Sequence, residues 1–190
     1  FPTRGHEIYC HLALMEFLGI PSQGEDLEYP IFAEDVQAFD ALDLPLTPGG
    51  YVCIHPGARA AVRHWDAVNF ARVGDLCAEA GFDVVLTGVE AERHLTRAVA
   101  DAMHHDVLDL AGKTTLGTVG VLIQQSRLLI CNDTGVSHLA AALRHPSVVI
   151  SLTQDQSRWN PLDASVNQVV DGHQEDALPQ ALARVGWWLG

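Results

Sequence analysis

From Gly49 onward, short continuous apolar runs alternate with longer stretches of helical periodicity. Tyr51-Val52-Cys53-Ile54 reads as a buried strand ending at His55-Pro56-Gly57. Residues 66–80 place Val68, Ala71, Val73 and Leu76 at helical spacing and stop at Gly81, a C-terminal signal. A second strand, Asp83–Thr87, breaks at Gly88; a helix over 91–103 and a short strand, Val107–Leu110, follow. The second half repeats the scheme: a helix over 115–125 containing Gly117 and Gly120, a strand Arg127–Cys131, a short helix Val136–Leu143, and a strand Ser147–Ile150. Val166–Val170 predicts a sixth strand, and residues 175–188 a final helix. Continuous apolar strands separated by helices require a parallel sheet covered on both faces, so the expected fold class is α/β, doubly wound. In such sheets ligands bind beyond the carboxyl ends of the strands. The residues at those ends are rich in Gly, charge and hydroxyls, which places the function there.

Residues 1–48 do not share this rhythm. The pattern predicts an amphipathic helix over Glu7–Leu18, a polar loop over Pro21–Pro30 and a second short helix within Ile31–Leu44, before a Pro45–Gly50 linker. Two helices without a strand cannot form a separate domain, so the reading divides the chain into a helical arm and linker, 1–48, and a sheet domain, 49–190. The first residues are Phe1-Pro2, without an initiator Met, which suggests a processed product or a piece of a longer chain.

Charge narrows the partners. The net charge is -13, and residues 1–50 hold nine acids against the single base Arg4. Such a chain is repelled by nucleic-acid phosphates, yet a few cations and a helix N-terminus can still make a local site for a small anion. The four cysteines, Cys10, Cys53, Cys77 and Cys131, form no Cys-x-x-Cys pair, which favours buried, reduced thiols of a cytosolic protein over a disulfide or metal role. His104 and His105 are adjacent; on a helix neighbours diverge by about 100°, so no metal is expected there. No apolar run approaches the roughly 18 residues of a membrane span.

Asn132-Asp133-Thr134-Gly135-Val136-Ser137-His138 follows a strand and opens a helix. The N–H groups of Thr134, Gly135 and Val136 are then unpaired donors suited to a diphosphate, with Gly135 permitting close approach. Equally, Asp133 and Thr134 could simply cap the helix. The turn His55-Pro56-Gly57-Ala58-Arg59, with Arg63, His64 and Trp65, offers two guanidinium groups of the kind that grip phosphate in a fork, or a solvated basic loop. Glu92, four residues beyond Gly88, could accept ribose hydroxyls or lie on a helix surface. Gly112-Lys113-Thr114 lacks the glycine spacing of a Walker motif.

Taken in order, His-Pro-Gly-Ala, Arg-His-Trp, Leu-Thr-Gly with a Glu four beyond the Gly, Leu-Ala-Gly-Lys-Thr and Asn-Asp-Thr-Gly-Val-Ser-His-Leu-Ala-Ala-Ala-Leu resemble glycosyltransferase family 9, the lipopolysaccharide heptosyltransferases. The resemblance covers about residues 50–163. It implies a Rossmann-like, donor-binding, C-terminal half of a GT-B fold, with the arm similar to the last helix and linker of an N-terminal half. By that resemblance, Gly57, Ala58, Arg59, Arg63, Asp133, Thr134, Gly135 and His138 would face the donor diphosphate and sugar, while Gly88, Glu92, Lys113 and Thr114 would face the nucleoside. Arg63 stands where the family usually has Lys, which retains the charge but changes its reach.

The implied activity is inverting, metal-independent transfer of heptose from ADP-heptose to a lipid-linked oligosaccharide in lipopolysaccharide core synthesis. The general base and acceptor site would come from the N-terminal half, leaving this chain inactive alone. No cofactor is expected, and the location implied is cytoplasmic, with at most peripheral contact with the inner membrane. Competing readings are a GT-B transferase or epimerase using a UDP or GDP sugar, and a non-catalytic binding module. A dehydrogenase is disfavoured because no Gly-x-Gly-x-x-Gly follows the first strand.

Overall fold

The computed structural model describes residues 5–190. Two helices, α1 (Glu7–Phe17) and α2 (Ala33–Asp40), precede β1 (Tyr51–His55), α3 (Ala67–Glu79), β2 (Asp83–Leu86), α4 (Arg93–Ala102) and β3 (Leu108–Asp109). Then come α5 (Leu116–Gln125), β4 (Leu128–Asn132), α6 (Gly135–Ala142), β5 (Ser147–Ser151), α7 (Gln156–Trp159), β6 (Asn167–Asp171) and α8 (Ala177–Leu189). The six strands form one parallel sheet in the order β3-β2-β1-β4-β5-β6. Chain order runs outward from β1 in one direction and from β4 in the other, so the turns after these neighbours diverge and leave a crevice between them.

Strand alternation divides the core. Val52 and Ile54 of β1, Leu128 and Ile130 of β4, and Val148 and Ile150 of β5 pack on the face covered by α3, α4 and α8. Tyr51, Cys53, Leu129, Cys131 and Val149 point to the opposite face, under α5 and α6. Both faces are covered, which is why the strand sequences are apolar throughout. Fully burying one such Ile or Leu stabilises by about 1.5–3 kcal/mol. The Tyr51 hydroxyl, also enclosed, donates to the Leu122 carbonyl at 2.7 Å.

Helix α2 packs against α5, and Tyr29, Phe39, Leu44 and Leu46 extend the second core cluster. The contact explains two glycines that weaken α5 as a sequence: a Cβ at Gly117 would collide with the Asp35 carboxylate, and one at Gly120 with the Tyr29 ring. Helix α1 departs from the amphipathic pattern expected of it. Cys10 is its one buried residue, whereas Tyr9, Met15 and Phe17 remain exposed, because its apolar side chains are spread around the axis. It is held instead by polar contacts to the α7 segment: Arg158 Nη2 lies 2.6 Å from Glu7 Oε2, and a His6 ring nitrogen 2.7 Å from the Asn160 carbonyl.

His104 and His105 also differ from expectation. They lie past the end of α4, where the chain bends, so the divergence of helical neighbours does not apply. Both rings turn to the same carboxylate, with Nδ1 atoms 2.8 and 3.0 Å from Asp75, which also accepts their backbone N–H groups. All four cysteines are buried, and Cys53, Cys77 and Cys131 are free thiols. Among the described residues, no helix is long and apolar enough to cross a membrane.

Candidate functional site

The crevice between β1 and β4 is built around Asn132, the last residue of β4, which is fully buried. A polar side chain so enclosed must find partners. Its Nδ2 donates to the Pro56 carbonyl at 2.7 Å, and its Oδ1 accepts the Trp65 N–H at 3.2 Å. One amide thereby fixes both ends of the turn after β1. Between them, Gly57 and Ala58 are buried, Arg59 is exposed, and a single 3-10 turn, Ala61–Arg63, leaves Arg63 half-buried. A ring nitrogen of His64 lies 2.7 Å from the Ala58 carbonyl and braces this loop.

The turn after β4 lies opposite. Asp133 is 4% exposed, its N–H donates to the Ile150 carbonyl at 2.9 Å, and its Oδ2 is buried without a hydrogen-bond partner. Burial pushes its carboxyl above the ordinary range, against the opposing fields of His138 and Arg63. Thr134 occupies the N-cap position of α6 but provides no side-chain cap, and Gly135 has open space on its Cβ side. Of the two sequence alternatives, simple capping is not what is observed: the first-turn N–H groups of α6 keep their positive end unopposed by a side-chain oxygen. His138 lies one turn inside, its imidazole lowered by burial despite Asp133, with His6 adding to the lowering.

Glu92 joins the site from the β2 side. Its Oε2 accepts the Val89 N–H at 2.9 Å, and its carboxylate rests against Gly57 so closely that a Cβ there would collide with it. Glu92 thus faces the turn after β1 rather than open solvent. His55, 8% exposed, sits beneath, with Nδ1 3.0 Å from Thr87 Oγ1 and Nε2 3.8 Å from Glu92 Oε2. Burial lowers the His55 imidazole, partly opposed by Glu92.

Two groups of expected site residues are therefore joined. Asp133, Thr134, Gly135 and His138 share the turn after β4 and the start of α6, with the field of Arg63 acting on Asp133, and Glu92 lies against Gly57. Gly88, Lys113 and Thr114 belong to a neighbouring pair of turns, tied where the Gly112 N–H donates to the Gly88 carbonyl at 2.9 Å. Lys113 is turned onto its own strand end, its Nζ donating to the Asp109 carbonyl at 2.7 Å. No contact connects it with Arg63 or Asp133. Asn132, His55 and Thr87 lie inside the quoted motifs without an assigned role, although a polar residue ending an apolar strand is a signal available for all three. A cavity of about 520 Å³ adjoins the crevice through His138 and extends between the arm and α7, past His6, Glu7 and Trp159.

A model of glycosyltransferase family 9 (heptosyltransferase) matches residues 7–182. The chain is 30% identical over 183 residues to lipopolysaccharide heptosyltransferase 3 of Escherichia coli K12, a match covering 92% of this chain and 52% of the relative. It therefore spans about half the length of that protein. A solved glycosyl transferase of family 9 from Veillonella parvula superposes with a TM-score of 0.82 at 20% identity, covering 99% of this chain and 61% of that one. The ADP-heptose LPS heptosyltransferase II of E. coli superposes with a TM-score of 0.72 at 20% identity, covering 85% and 53%.

Proposed function

The chain belongs to glycosyltransferase family 9, and from that premise we propose that it is the donor-binding part of a heptosyltransferase of lipopolysaccharide core synthesis. The donor in this reading is ADP-heptose. The observation that carries it is the N-terminus of α6, uncapped by a side chain, next to the buried, unpartnered Asp133 oxygen, whose carboxylate also feels the charge of Arg63. A diphosphate meets the α6 N–H groups and the Arg63 guanidinium together, and both interactions strengthen as charge develops on the leaving group. Asp133, acceptor-only when ionised, takes sugar hydroxyls, and Glu92 takes ribose hydroxyls over Gly57. No metal is required in this scheme, since the cation and the helix end supply the field.

The acceptor is a lipid-linked oligosaccharide, deprotonated by a base from a further Rossmann-like half and met at the cytoplasmic face of the membrane. Domain closure would align the two substrates. On this account the chain binds nucleotide and does not transfer heptose by itself. Titrating ADP, UDP and GDP into the chain by calorimetry tests the reading: ADP binds best, whereas a preference for UDP or GDP would reject the heptose donor. Heptose transfer by the isolated chain would contradict the division of labour.

A further inference from the structure

We infer that His55 and Thr87 form a positioning relay that aims the Glu92 carboxylate, so that recognition of a nucleotide's ribose depends on two residues that never touch it. The inference rests on the reading of Glu92 as the ribose acceptor.

The three residues come from separate elements that meet at the carboxyl edge of β1 and β2. His55 is the last residue of β1, Thr87 follows β2, and Glu92 ends the short 3-10 turn before α4. Thr87 is 1% exposed and His55 8%, so neither can exchange its partners for water. Thr87 Oγ1 lies 3.0 Å from His55 Nδ1. With the hydroxyl donating, Nδ1 is the acceptor and the neutral ring carries its proton on Nε2. That N–H lies on the Glu92 side, 3.8 Å from Oε2. The separation makes this a dipole facing a carboxylate rather than a hydrogen bond. Its sign still matters, because the other tautomer would present a lone pair to the same negative oxygen.

Oε2 has a second anchor in the Val89 N–H at 2.9 Å. The carboxyl group is thus held from the Oε2 side and laid over Gly57, where the missing Cβ makes room for it. A vicinal diol needs an acceptor in a fixed direction. The relay supplies that direction from the buried side, and losing the Thr87 hydroxyl frees the imidazole to reverse its tautomer and push the carboxylate away.

The test compares the affinity of the chain for ADP and for 2′,3′-dideoxy-ADP, in the wild type and in Glu92→Ala, His55→Asn, Thr87→Val and Thr87→Ser. The wild type should prefer ADP about tenfold, as expected for hydrogen bonds to a charged group. His55→Asn and Thr87→Val should each reduce that ratio about threefold or more without weakening dideoxy-ADP, and Thr87→Ser should retain it. Unchanged dideoxy-ADP affinity shows that the variants are folded. Equal weakening of both nucleotides would mean that the two residues only support the fold, and would overturn the relay. A ratio lost in Glu92→Ala but intact in His55→Asn and Thr87→Val would also overturn it while leaving Glu92 as the ribose acceptor. A wild type with no preference would reject the reading of Glu92 itself.

Discussion

The Asn132 side chain donates to the Pro56 carbonyl at 2.7 Å across 76 residues of sequence, joining the end of β4 to the turn after β1. The same amide accepts the Trp65 N–H, so two buried backbone groups depend on one side chain. Replacing it by Ala leaves both unsatisfied, at a cost of about 1–3 kcal/mol each. Urea unfolding of Asn132→Ala should show that loss, and calorimetry should show ADP binding weakened about tenfold or more as the turn loosens. A stable variant with full ADP affinity would remove Asn132 from the site.

At Gly57 the expected response is the reverse: affinity changes and stability does not. The atoms nearest a Cβ at this position are those of the Glu92 carboxylate, the end of a side chain that can move aside. Gly57→Ala should melt close to the wild type yet bind ADP several-fold more weakly.

Buried histidines set the pH dependence of stability. Burial pushes His145, whose Nε2 lies 2.9 Å from Ser126 Oγ, down to about 4. The unfolded imidazole protonates near 6.5, so between about pH 6.5 and 4 the unfolded state binds the extra proton and stability falls as pH falls, by up to about 1.4 kcal/mol per unit. His55 and His138, lowered by burial, contribute in the same direction. His145→Gln should flatten its share of that slope, measured as the difference from wild type in urea unfolding at several pH values. Asp75 acts lower on the scale: burial works to raise it, but hydrogen bonds from His105 and His104 prevail and hold it below the ordinary value. Its contribution is present above the unfolded carboxyl pKa of about 3.9 and is lost as pH falls through its lower folded value.

The thiols should be silent in the native state. Burial pushes Cys53 and Cys77 up to about 12 and raises Cys131 as well, and Cys10 is also enclosed. A thiolate is the reactive species, so Ellman's reagent should label the chain slowly until denaturant is added. Rapid native labelling would contradict the packing of both core clusters.

The strands were readable because each is buried on both faces and therefore apolar without interruption, as in Leu128–Cys131. Helix α3 was readable because Val68, Ala71, Val73 and Leu76 keep its period. What escaped was set by tertiary partners. Helix α7 has four residues, too few for any period. The bond from Asn132 to Pro56 exists only once β1 and β4 are neighbours, and nothing near Lys113 in sequence shows that its ammonium folds back on Asp109. The convergence of His104 and His105 on Asp75 is hidden for a related reason: it depends on where α4 stops. Even so, the turn Asp133-Thr134-Gly135 was found at the correct strand end, because a polar, Gly-containing break between an apolar strand and a helix is a local signal.

The proposed diphosphate site joins the turns after β1 and β4, and Arg63→Ala tests that most directly. Calorimetry should show ADP binding reduced about tenfold, the range expected for losing a charged partner of a phosphate, with adenosine binding unchanged. ADP affinity indifferent to Arg63, or an equal loss for adenosine, would contradict it.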